Sequence, residues 1–175
     1  MGLPGKPEAA ILINAITYRH DVRPEDVQEK AISPFGEVQE QLPAQVFEHS
    51  AYYADEMGTP LNKTYVAYKG SFPVADAVQV KMKAIRVEQE TAIDGKRTIN
   101  IDPGYLTLAK FVLTTTKNFD HRIHIGDCIY GDVQLRYRKG EFVTNPWTYP
   151  DYKQTDVLRF LEKTRKDLHA QQRST

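Results

Sequence analysis

The chain has 175 residues, and its 23 Lys and Arg are balanced by 23 Asp and Glu. That length builds a hydrophobic core without staples, and zero net charge removes the field that would draw nucleic acid or an anionic membrane. The lone cysteine, Cys128, excludes an internal disulfide and a multi-cysteine zinc site. No apolar run approaches the length of a membrane span, and the first seven residues lack a signal-peptide core. The expectation is a cytoplasmic single domain over 1–175, with 1–7 and 171–175 frayed.

In chain order, "AILINAIT" at 10–17 is a continuous apolar run of the kind buried on both faces of a sheet. Pro24 opens a short helix with Glu25 and Asp26 in its first turn, and Gly36 ends that segment. Residues 38–47 are extended but interrupted by Pro43, which makes them an edge strand or a bulged one. Ser50 is placed to cap a short helix, "AYYADEM", closed by Gly58. "TYVAYK" is a strand. Pro73 starts the longest internal helix, with Val74, Ala77, Val78, Met82 and Ile85 as its apolar stripe.

After Asp94-Gly95 the chain turns to short strands: "RTINI", "FVLTTTK", "RIHI", "CIYGDVQLRYR" and "EFVT". A last helix over about 155–171 aligns Val157, Leu158, Leu161 and Leu168. The order predicts an α+β fold. It has a mainly antiparallel sheet with helices packed on one face, a βαββαβ-like N-terminal half, a β-meander and a C-terminal helix.

No phosphate loop and no G-x-G-x-x-G occurs, so the commonest nucleotide cradles are absent. "TKNFD" is one residue too long for the guanine-reading motif. His121 and His124 are spaced three apart, which on a strand points them to opposite faces and argues against a shared metal. Three constellations remain. Asp102-Pro103-Gly104-Tyr105 reads first as a turn, and second as Asn100, Asp102 and Tyr105 presented at a strand end. "KNFDHR" brings Lys117, His121 and Arg122 together, suited to a phosphate or carboxylate or else a solvated hairpin tip. "PWTYPDY" is too rich in proline and aromatics for a regular element; Trp147 and Tyr149 are core or pocket wall, and Asp151 caps the last helix.

Register decides which polar groups meet. A two-residue Gly126-Asp127 loop would set His121 opposite Asp132, whereas slipping by one residue collects Ile123, Ile125 and Ile129 on one face. The slipped register is expected, with His124 facing Tyr130 and an Arg122–Asp132 pair.

The motifs "EMGTPL", "NIDPGYLTLAKFVLTTTKNFDHRI", "IYGDVQLRYRKGEF" and "PWTYPDY", in that order, resemble the uncharacterised prokaryotic domain-of-unknown-function family 4416. The resemblance implies a single-domain member and brings no established activity. The GTP-binding label sometimes attached to the family finds no motif here. Asp132 stands where the family pattern leads one to expect Glu, which shortens any reach into a site.

The first functional reading is a small enzyme acting on an anionic small molecule. His121, His124 and Asp102 would be the catalytic groups, and Lys117, Arg122, Tyr105, Asn100, Asp132, Trp147 and Tyr149 would line the ligand. The second is a non-catalytic binding or interaction module using the same cleft. RNA binding through tyrosines and basic loops is disfavoured by the zero net charge. The cofactor and the oligomeric state stay open.

Overall fold

The computed structural model describes residues 3, 5, 7–47 and 53–173. Strand β1 (Ile11–Arg19) is buried at every position but its last. Its residues alternate between two cores. Ile11, Ile13 and Ala15 pack with Tyr65, Phe111, Phe160 and Leu161, while Leu12, Ile16 and Tyr18 pack with Val27, Ile32, Ala84 and Val87. The first core is covered by helix α4 (Thr155–Arg173), and the second by α1 (Pro24–Val27), its continuing turns and α3 (Ala77–Glu90). The antiparallel sheet and covering C-terminal helix are as expected. The helices, however, divide between both faces rather than sharing one. The apolar run of β1 is the reason, because neither of its faces can be left to water.

Among the described residues the sheet has eight strands. β2 (Val38–Val46), β3 (Leu61–Tyr68), β1, β4 (Ile99–Leu106), β5 (Lys110–Thr115), β7 (Ile129–Arg138) and β6 (Ile123–Gly126) follow in spatial order, and β8 (Glu141–Thr144) also pairs with β7. All pairs are antiparallel. β2 is the expected edge strand, and Pro43 sits in the irregularity between Leu42 and Gln45. The short helix α2 (Ala54–Met57) follows it. The proposed Ser50 cap lies outside the described residues, as do most of 1–7; at the other end α4 continues past Ala170 to Arg173.

Asp102-Pro103-Gly104-Tyr105 is not a turn. β4 runs straight through it, pairing with β1 from Ile99 to Leu106. Turn chemistry is overridden because β4 is an interior strand whose far edge is interrupted: pairing with β5 stops at Gly104–Leu113, one residue before the proline. Thr114 Oγ1 donates instead to the Pro103 carbonyl at 2.8 Å. Gly104 is required by approach, since a Cβ there would lie 2.6 Å from the Val112 carbonyl oxygen. Gly104→Ala is expected to destabilise by about 1–3 kcal/mol through forced strand separation, checked by urea denaturation.

The β6–β7 hairpin has the expected register, with Ile123 opposite Gly131 and His124 opposite Tyr130. It is reached differently from the way burial suggested. Asp127 and Cys128 both have positive φ, as in a two-residue type I′ turn, and the ladder shifts between His124 and Gly126. Ile123 is 71% exposed and Ile125 39%, so an apolar face is not what holds the register. The Arg122–Asp132 pair does form, Nε to Oδ2 at 2.8 Å.

Candidate functional site

Where β4 and β5 part beyond Pro103, the sheet opens into a cavity of about 560 Å³. The opened edge of β4 is served by α3. Lys81 Nζ donates to the Ile101 carbonyl at 3.0 Å, and the Ile101 amide donates to Glu88 Oε1 at 2.7 Å. Two ionisable side chains thus replace the strand partner that Ile101 lacks, and both are buried. Burial pushes the Glu88 carboxyl up, partly offset by the Lys81 charge and the Ile101 amide.

Around this edge the polar groups are chained together. Arg97 grips both oxygens of Glu56 (2.7 and 2.6 Å) and reaches Glu88 at 3.3 Å and Asn100 Oδ1 at 2.6 Å. Asn100 Nδ2 donates to Asp102 Oδ2 at 2.8 Å, and Lys81 lies 3.5 Å from Asp102 Oδ1.

The opposite wall comes from β7 and the residues after β8. β6 pairs with the start of β7 and β8 with its end, leaving Val133 and Gln134 without a strand on that side. Asn145, Trp147 and Thr148 fill the space: Asn145 Nδ2 and Trp147 Nε1 donate to the Val133 carbonyl, and Thr148 Oγ1 to that of Gln134. This pins the "NPWTYP" turn over the sheet and sets Trp147 and Tyr149 at the cavity wall. Tyr152 borders the cavity too but is core, packed against Tyr65 and Phe111.

Arg122 ties the wall together. Its Nε donates to Asp132, its Nη1 to the Lys117 carbonyl at 3.0 Å and its Nη2 to the Tyr149 hydroxyl at 2.7 Å. His121 stacks on Trp147 with ring centroids 4.8 Å apart, its Nε2 3.5 Å from the same Asp132 oxygen. The second oxygen of Asp132, Oδ1, is buried with no hydrogen-bond partner among the described residues. Lys117 stands beside Arg122; partial burial and the Arg122 charge hold its ammonium below the usual lysine range.

Lys63 and Asp151 also line the cavity. Lys63 Nζ and Tyr65 Oη both donate to Asp151 Oδ2 at 2.7 Å, and the ammonium sits 4.5 Å from the centre of the Phe47 ring. Burial works to raise the Asp151 carboxyl, but the Lys63 charge and the two hydrogen bonds outweigh it and hold it below the usual range. The expected capping role for Asp151 is therefore wrong. The residue lies in the 3₁₀ turn Pro150–Lys153 ahead of α4, and the buried ammonium claims its carboxylate.

Of the residues singled out in the sequence, Asp102, Asn100, Lys117, His121, Arg122, Asp132, Trp147 and Tyr149 line this one cavity. His124 and Tyr105 do not: His124 lies edge-on to Tyr130, and Tyr105 packs near Phe72. The sequence reading missed Lys81, Glu88, Arg97, Lys63 and Tyr53. The α3 stripe was partly misplaced as well, since Met82 is exposed while Ala77, Lys81, Ala84 and Glu88 share the buried side. The available signal was a Lys and a Glu seven residues apart in step with two alanines, a helical face that is apolar except for two charges.

The chain matches the family described as domain of unknown function (DUF4416) over residues 8–168. It belongs to that family. No curated protein and no solved structure matches the chain. For this DUF4416 member, then, the geometry of the cavity is the ground for any functional reading. No helix among the described residues is long and apolar enough to cross a membrane.

Proposed function

We propose that the cavity binds a small anionic molecule bearing phosphate or carboxylate, and that the protein is a small enzyme acting on it. The observation that carries this reading is convergence. Two adjacent cations, Lys117 and Arg122, line the same cavity as a His–carboxylate contact between His121 and Asp132. Positive charge on the cavity wall favours an anion, and the volume suits a metabolite-sized ligand. In this reading Lys117 and Arg122 hold the anion, His121 moves a proton, and Asp132 and Asp102 orient partners. Glu88 joins the candidates for proton transfer, because burial favours its protonated form. A non-catalytic module would use the same cavity without turnover.

Thermal shift against inorganic phosphate, sugar phosphates, nucleoside monophosphates and dicarboxylates tests the binding. A native-state ligand at about 100 times its Kd stabilises by about 2.7 kcal/mol. At least one anion class is expected to raise Tm in a saturable way, and Lys117→Met is expected to abolish the rise. Mass spectrometry of the incubated ligand then separates enzyme from binder. No shift with any class would overturn the reading.

A further inference from the structure

We infer that the cavity's ligand is zwitterionic: besides its anion it carries an ammonium group, which donates to the Asp102 carboxylate. The inference rests on the anion-binding reading and adds the other end of the ligand. Among the described residues four carboxylates line the cavity, and they differ in access. The side chains of Asp132, Asp151 and Glu88 are 1%, 6% and 8% exposed, whereas that of Asp102 is 29% exposed. Asp102 is therefore the acid that a ligand meets. It also has acceptor capacity left, because an ionised carboxylate accepts roughly four hydrogen bonds. Its Oδ2 takes one from Asn100 at 2.8 Å. Its Oδ1 has, among the described residues, only Lys81 at 3.5 Å, whose closer bond of 3.0 Å goes to the Ile101 carbonyl.

Charge divides the cavity in the same sense. On the β5–β7 wall Lys117 and Arg122 stand against Asp132, one cation in excess. On the β4–α3 wall Lys81 and Arg97 stand against Asp102, Glu88 and the Glu56 that Arg97 grips. That wall has one acid in excess with Glu88 ionised and is balanced with Glu88 protonated, so it is the more negative of the two in either state. A ligand ammonium is drawn to it as the anion is drawn to the other. The Asp102 charge is already felt by its cavity neighbour Tyr53, whose hydroxyl it pushes well up, with burial adding to the rise. Aromatic faces also hold ammonium groups, and Lys63 over the Phe47 ring at 4.5 Å is an instance within this cavity.

The walls also bear on the ligand's length. Continued in register from Gly104–Leu113, the β4–β5 ladder would put Asp102 opposite Thr115. The strands part instead. Asp102 and the Thr115–Lys117 segment therefore line the cavity from opposite sides of a gap wider than the paired spacing of about 4.8 Å. An ammonium set a few carbons away from the anion suits such a gap.

The test is calorimetric titration of the full chain with three matched pairs, each differing by one amino group: γ-aminobutyrate and butyrate, glutamate and glutarate, phosphoethanolamine and ethyl phosphate. In at least one pair the amino member is expected to bind ten times or more tighter. Asp102→Asn, which keeps the shape and removes the charge, is expected to bring that pair within about threefold by weakening the amino member. If the variant does not fold, the N-acetyl form of the tighter member, titrated into the unaltered protein, replaces it, and a loss of tenfold or more is expected. A preference under tenfold in every pair would overturn this inference and leave the anion reading standing. A preference that survives Asp102→Asn, or an affinity that survives N-acetylation, would overturn it as well. Binding of none of the six would overturn the inference and the anion reading together.

Discussion

Asp151→Ala is expected to destabilise the protein by about 3–5 kcal/mol, measured as the change in unfolding free energy by chemical denaturation. The pair it breaks is almost sealed: the Lys63 and Asp151 side chains are 9% and 6% exposed. Removing the carboxylate leaves a buried ammonium among Phe47, Tyr65 and Tyr152, with cation–π contact but no counter-ion. Tyr65 Oη would lose its acceptor in the same step. The cost therefore comes from the stranded charge more than from any favourable worth of the pair. A double replacement, Lys63→Met with Asp151→Leu, is accordingly expected to recover most of the loss.

The pair also has a pH signature. The Asp151 carboxyl is held below its ordinary range in the folded state, so the unfolded chain takes up its proton first as pH falls. Its contribution is present above the unfolded value and is lost as pH drops through the folded one, in the window below about pH 4. The unaltered protein should lose stability more steeply there than Asp151→Ala. Equal slopes below that pH would show that Asp151 is not held by Lys63 in solution.

Local patterns with one physical cause were readable from the sequence. Pro43 marked an edge strand with an irregularity because proline cannot serve a ladder on both sides, and that is where it lies. The pairing of Arg122 with Asp132 followed from hairpin register. That success came partly for another reason than the one argued. Ile123 and Ile125 stay exposed, and the register is set by a two-residue turn with a ladder shift. Asp102-Pro103-Gly104 misled because its residues have turn chemistry, while its neighbours in space, β1 and β5, decide that it is strand. Lys81 and Glu88 were missed for a related cause. Their burial depends on an opened strand edge twenty and thirteen residues away, and on α3 itself only their step with Ala77 and Ala84 hints at it.

Arg122→Lys is expected to be nearly as harmful as Arg122→Ala, although it keeps the charge. Alanine strands the Asp132 carboxylate, itself 1% exposed, and should cost about 3–5 kcal/mol. Lysine can restore one contact at most. The guanidinium holds three oxygens from three places: Asp132 on β7, the Lys117 carbonyl after β5, and the Tyr149 hydroxyl in the turn before α4. An ammonium has no planar fork, so a lysine that reaches Asp132 abandons the other two. Each hydrogen bond to a charged group is worth about 1.5–3 kcal/mol, so the loss of two puts the lysine variant on the order of 3 kcal/mol or more below the unaltered protein. The loss should also be local. With Tyr149 and the Lys117 segment released, the mouth of the cavity should open first, seen as faster amide exchange at Lys117 and Arg122 while the β1–β4 ladder keeps its protection. A lysine variant as stable and as protected as the parent would mean that Arg122 serves only as a charge and that the wall is held by the Asn145–Thr148 contacts alone.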